Sequence, residues 1–148
     1  METLYKQIES LVSDKLPLVS NLSNVSALLF KLKNLNWAGF YLADENGDLF
    51  LGPFQGDVAC TFIPYGKGVC GKCVEEKKAI IVPDVNKFNG HIACSSLSKS
   101  EIVVPIVKDG LIYGVIDIDS PILDRFHEEE KRFLEKVANL LSEKCFGK

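Results

Sequence analysis

Cysteines are the residues whose types and spacing first suggest chemistry. There are five, Cys60, Cys70, Cys73, Cys94 and Cys145, and four of them fall between residues 60 and 94. In a reducing compartment structural disulfides are rare, and clustered thiols point to metal binding or redox work. Cys70-Gly71-Lys72-Cys73 spells C-x-x-C and His91-Ile92-Ala93-Cys94 spells H-x-x-C. Zinc needs four convergent nitrogen and sulfur donors, and paired knuckles of this kind supply them. A C-x-x-C string also suits a thioredoxin-type motif, but that motif sits between a strand and a helix in a parallel unit. A third chemistry is thiol redox catalysis. A thiolate attacks an oxidised centre and becomes a sulfenic acid, which a second cysteine converts to a disulfide. That chemistry needs one accessible thiol, a resolving thiol and a proton donor. Cys94, in a polar loop, Cys60, on an expected strand, and Cys70, in a Gly-rich turn, fit the thiol roles. Glu101, Asp117 and Asp119 could supply protons or hold a cation. Cys73 and Cys145, on expected helices, fit equally well as small buried hydrophobes.

The elements that must position these groups follow from periodicity. Leu4, Ile8, Leu11 and Val12 form a helical stripe in "ETLYKQIESLVSDKL". "PLVSNLSNVSALLFKLKN" predicts a second helix with Pro17 near its first turn. "LNWAGFYLADENGDLFLGPF" alternates with period two around Asn46-Gly47, which predicts a hairpin. "DVACTFI" and "AIIVPDV" are strand candidates, separated by the Gly-rich turn and a short helix at "CVEEKK". "NKFNGHIACSSLSK" has loop composition, and "SEIVVPIVKDGLIYGVIDIDSP" predicts a second hairpin turning at Lys108-Asp109-Gly110. The closing amphipathic helix takes Asp124 as its expected N-cap. Helices at both ends with hairpins between them predict an α+β fold, an antiparallel sheet with terminal helices on one face and loops free to build a site on the other.

Side chains alternate across a strand, so spacing assigns faces. Trp37, Gly39 and Tyr41 share one face of "NWAGFYL", and two large aromatics flanking a glycine predict a hollow with aromatic walls. Asp117 and Asp119 share a face opposite Ile116 and Ile118, which belong to the core. Both acids, and Glu101 at the start of the "EIVVPIV" strand, are also compatible with plain surface charge. The aromatics are likewise compatible with ordinary sheet packing.

The remaining classes are narrowed by composition. At 148 residues, with 47% hydrophobic and 25% charged residues, the chain has what one folded domain spanning 1–148 requires. Net charge is −3 with no Lys/Arg cluster, so nucleic acid is not an expected partner. No apolar run approaches a membrane span and "METLYKQIES" lacks a signal-peptide pattern, so a cytoplasmic location is expected.

Together, "NWAGFYL", "LGPFQGDVACTFIPYGKGVCG", "IIVPDVNKFNGHIACSSLSKSEIVVPI" and "GVIDIDSP" closely resemble the free methionine-R-sulfoxide reductases, enzymes built on the GAF fold. The resemblance runs from about Leu35 to Phe126, with several motifs agreeing in order and spacing. It implies a six-stranded antiparallel sheet with the active site under loops on the face away from the terminal helices. It implies that Cys94 attacks the sulfoxide sulfur, that Cys60 resolves the sulfenic acid, and that Cys70 is an auxiliary thiol. Glu101, Asp117 and Asp119 match the family's acidic cluster, which holds the substrate amino group and helps protonate the sulfoxide oxygen. Trp37 and Tyr41 match the aromatic wall around the substrate's methyl-sulfur end. No bound cofactor or metal is implied. Thioredoxin would regenerate the thiols, with electrons ultimately from NADPH. Cys73 departs from the pattern, where a small residue such as alanine is expected, and it alone creates the C-x-x-C string. A homodimer is compatible with the sequence. A GAF module that only senses a small ligand, and a zinc-binding interaction domain, are the alternatives.

Overall fold

The computed structural model describes residues 1–92, 94 and 96–147; Ala93 and Ser95 of the expected polar loop lie outside the described residues, as does Lys148. Helices α1 (Glu2–Leu11) and α2 (Leu18–Leu29) lead into strands β1 (Trp37–Ala43), β2 (Leu49–Gly56) and β3 (Phe62–Ile63). Helix α3 (Gly68–Glu76) and strand β4 (Ile80–Val82) follow, then β5 (Ser100–Lys108), β6 (Leu111–Ser120) and helix α4 (Glu128–Cys145). The six strands form one sheet in the order β3-β2-β1-β6-β5-β4, every pairing antiparallel. The resemblance implied such a six-stranded antiparallel sheet.

Both expected hairpins form for local reasons. In the first, the Asp44 carboxylate accepts from the N–H of Asn46 (2.9 Å) and of Asp48 (3.0 Å), and Gly47 takes φ +81°. In the second, Asp109 and Gly110 are both left-handed (φ +53° and +78°), the twist that suits a tight hairpin.

The alternation of β1, β5 and β6 divides the interior in two. Ala38, Phe40, Ile102, Val104, Ile116 and Ile118 pack against the stripe of Ile8, Leu22, Val25 and Leu29 and against Leu134, Val137 and Leu141 of α4. The opposite face carries Trp37, Tyr41, Val103 and Val115, covered by α3 and by Ile63, Val82 and Val85. The terminal helices therefore occupy one face and leave the other to α3 and the loops.

Three local expectations are corrected. Cys60 is not in a strand: β3 is only Phe62–Ile63, and residues 57–60 run past the end of the β2 ladder. Cys70 is not in a turn, because α3 starts at Gly68 and closes at Lys77, a left-handed cap whose N–H donates to the Cys73 carbonyl at 2.8 Å. Asp124 does not cap α4. Its N–H is taken by the Pro83 carbonyl (2.9 Å) at φ +53°, and His127 is the N-cap, with its N–H donating to Glu130 Oε1 at 2.8 Å. The acidic first turn, Glu128, Glu129 and Glu130, still meets the positive end of the helix dipole.

At Gly39 the sheet packs closely on itself. It pairs with Phe54 at a register shift in β1–β2, and a Cβ added there would lie 2.7 Å from the Phe54 Cα and 2.8 Å from the Pro53 carbonyl oxygen. Phe54 occupies the space directly beside Gly39, and its ring stacks on Trp37 at 5.2 Å. Gly39→Ala should cost about 2 kcal/mol or more, because backbone rather than a flexible side chain must give way. Denaturant melting checks this, and a loss below about 0.5 kcal/mol would mean that β2 shifts freely.

Candidate active site

The register of the sheet assembles the site. One row across it reads Val82, Glu101, Asp119, Trp37, Gly56, and the next reads Ile80, Val103, Asp117, Gly39, Phe54. Glu101 and Asp119 are therefore direct cross-strand neighbours, with Asp117 diagonal to Glu101 and Trp37 on the other side of Asp119. Like charges directly opposite each other destabilise a sheet, so this placement is unfavourable for the fold alone.

A cavity of about 50 Å³ lies over these rows. Trp37, Tyr41, Cys70, Cys94, Glu101, Asp117 and Asp119, seven of the eight residues singled out in the sequence, line it. The eighth, Cys60, joins it through a disulfide to Cys94, with 5.4 Å between the Cα atoms of residues 34 positions apart in sequence. Asn36, Ile92 and Ser98 also line the cavity and were not selected, and so does His91, which the sequence offered only as a zinc donor. Asn36 Nδ2 donates to Ser98 Oγ at 3.0 Å, a contact across 62 residues that no local pattern could signal.

Burial sets the electrostatics. Glu101 and Asp117 are 7% and 5% exposed, so neither is the solvated surface charge that its strand position also allowed. Burial pushes the Glu101 carboxyl well above the usual carboxylate range, and Asp117 and Asp119 push it further. Asp119 is raised strongly by burial and then by Asp117. Asp117 is raised by burial, with hydrogen bonds to Glu101 and Cys70 and the nearby His91 pulling the other way. The three acids cannot all ionise at ordinary cost in an empty site. Among the described residues, Asp117 Oδ1 and Asn36 Oδ1 are buried acceptors without a hydrogen-bond partner. An orphaned buried acceptor is costly, so both favour a donor delivered by a ligand.

The thiols separate by environment. Burial and the three carboxyls raise the Cys70 thiol well above its ordinary value, and Cys73 is raised by burial, then by Asp117 and Glu76. Neither is a ready thiolate. Cys73, fully buried on α3, packs in the core cluster instead. Cys70, Glu101 and Asp117 offer ligand atoms within 4.8 Å of one another. That set is one sulfur and two oxygens, not the four nitrogen and sulfur donors of a C-x-x-C and H-x-x-C knuckle pair, because Cys94 is bonded to Cys60 and Cys73 points into the core. Burial lowers the His91 imidazole, against a pull upward from Asp117.

Comparison with known proteins gives the fold and the family. The GAF domain family profile matches residues 17–144. The free methionine-R-sulfoxide reductase of Saccharomyces cerevisiae is 48% identical over 156 aligned positions, covering 100% of this chain and 87% of the yeast protein. The structure of free methionine-R-sulfoxide reductase from Neisseria meningitidis in complex with its substrate superposes with a TM-score of 0.93 at 44% identity, covering 97% of this chain and 86% of that one. The reduced form of the Staphylococcus aureus fRMsr superposes with a TM-score of 0.92 at 51% identity, covering 98% and 94%. Among the described residues, no helix is long and apolar enough to cross a membrane.

Proposed function

Since this chain belongs to the GAF-domain proteins and, among them, to the free methionine-R-sulfoxide reductase family, we propose that it reduces free methionine-(R)-sulfoxide to methionine with its own thiols. The observation that carries the proposal is the Cys60–Cys94 pair at a cavity lined by the buried Glu101 and Asp117 and the half-buried Asp119, and walled by Trp37 and Tyr41.

In the reduced protein, Cys94 attacks the sulfoxide sulfur. Cys94 is half-buried and lines the cavity, whereas Cys70 is held as a neutral thiol. A free amino acid brings an ammonium group with three N–H donors, and burial penalises it unless acceptors meet it. Glu101, Asp117 and Asp119 supply the charge, and the unpartnered oxygens of Asp117 and Asn36 supply acceptors. A carboxyl that is still protonated hydrogen-bonds the sulfoxide oxygen and makes sulfur electrophilic. The S–O bond breaks as the oxygen passes to Cys94. Methionine leaves, and Cys94 holds a sulfenic acid. The Cys60 thiol then displaces that oxygen as water and closes the disulfide. A dithiol reductant, thioredoxin in this proposal, reopens it with electrons ultimately from NADPH, and no bound cofactor takes part. The Cys94 loop faces substrate first and Cys60 second, so it moves between the steps.

A site that encloses the whole zwitterion rejects methionine sulfoxide within a polypeptide. The deciding experiment is methionine release from both sulfoxide epimers, free and peptide-bound, with dithiothreitol or thioredoxin as reductant. Many turnovers on the free R epimer alone are expected. Release no greater than one methionine per protein would overturn catalysis in favour of a ligand-sensing module.

A further inference from the structure

The backbone that carries Cys60 is held by the polar tips of the two site aromatics. Residues 57–60 lie beyond the β2 ladder, and Val58 within them is 81% exposed. At one end of this stretch Trp37 Nε1 donates to the Asp57 carbonyl at 3.1 Å. At the other the Tyr41 hydroxyl donates to the Cys60 carbonyl at 2.9 Å. Both donors sit on the same face of β1, a central strand, and both are buried, at 4% and 2% exposure. Their rings stack on each other at 5.9 Å, and Phe54 stacks on Trp37. Aromatic side chains have few torsions to freeze, so packing of this kind fixes where their polar ends point. A segment beyond the β2 ladder is thereby tied to a central strand paired on both sides.

We infer that Trp37 and Tyr41 are positioning residues for disulfide closure, clamping the Cys60 segment so that the resolving thiol waits at a fixed place for Cys94. The inference rests on the reductase reading for its purpose, though not for its test. It makes Cys60 the stationary partner of the pair, the thiol that Cys94 must reach. It also gives each aromatic two tasks, with the ring facing the cavity and the polar tip holding the chain. In the closing step the Cys94 sulfenic acid and the Cys60 thiol form one S–S bond and release one water, and its rate depends on the effective concentration of the Cys60 thiol near Cys94.

The test measures that concentration without any sulfoxide. The reduced protein is equilibrated with glutathione and glutathione disulfide; one glutathione disulfide is consumed and two glutathiones form for each Cys60–Cys94 bond, which is followed by peptide mass. Tyr41→Phe keeps the ring and removes the hydroxyl, and should lower the equilibrium constant by about three- to tenfold, the fold-change of one ordinary hydrogen bond. Trp37→Phe should lower it in the same direction, and the double variant should lower it further. Thermal melting of the reduced proteins separates this loss from a general loss of fold, and Trp37→Phe carries the test if Tyr41→Phe does not fold. Equilibrium constants within about twofold of the wild type in the folded variants would overturn the clamp. Because the readout is the thiol pair itself, a chain with no sulfoxide turnover could still show the clamp, and an active enzyme could still lack it.

Discussion

Cys94→Ser loses sulfoxide turnover by about 10³-fold or more, even with excess dithiothreitol, as expected when the nucleophile of a covalent mechanism is removed. A serine hydroxyl is scarcely ionised at neutral pH, so it cannot replace a thiolate at sulfur. The other thiols cannot stand in. Cys70 is held protonated by burial and by Asp117, Glu101 and Asp119, while Cys73 packs in the core. Cys60→Ser should behave differently. It leaves the attacking thiol in place, traps the sulfenic acid after one turnover, and loses sustained turnover with thioredoxin while an external small thiol restores it. Full activity of Cys94→Ser under dithiothreitol would move the nucleophile elsewhere. Full thioredoxin-driven turnover in Cys60→Ser would remove Cys60 as the sole resolver.

Glu101→Gln should lower kcat/KM by about 10²-fold or more and yet raise the stability of the substrate-free protein. Both effects have one origin. Burial and the neighbouring Asp117 and Asp119 raise the Glu101 carboxyl. A group whose folded pKa lies above its unfolded value contributes most at low pH, and its contribution falls as pH rises through the window between the two values. Wild-type stability therefore declines across that window relative to Glu101→Gln, and the variant's advantage grows with pH until the folded Glu101 is ionised. Melting temperatures of both proteins from about pH 4 upward would show this divergence. Parallel curves would mean that Glu101 is not under strain in the empty site. The same sign governs binding. An ammonium in the cavity favours ionised acids, so substrate should release protons as it binds. Calorimetry in buffers of different ionisation enthalpy reads this directly, and proton uptake would contradict the ammonium site.

The acids were legible as a group because strand geometry is local. Asp117 and Asp119 share a face by period two, and Trp37 and Tyr41 do so on β1, whatever the rest of the chain does. Turn residues were legible for the same reason, through Gly47 and Asp109-Gly110. Boundaries set by distant partners were not. The start of α4 depends on Pro83 taking the N–H of Asp124, and the Cys60 segment depends on donors from β1. Phe54 occupying the space beside Gly39 depends on a register shift between two strands.

By itself, the sequence determined the inventory of reactive groups, the antiparallel α+β plan and the faces on which the acids and aromatics stand. Those properties follow from residue type and from the repeat of the backbone over a few residues. The resemblance named Cys60 and Cys94 as partners, but only the tertiary structure brings them together at the cavity, buries Cys70 beside three carboxyls and places Asn36 and His91 in the site. The reason is burial. Desolvation and proximity arise when segments tens of residues apart close over one sheet face, and neither leaves a trace in local spacing.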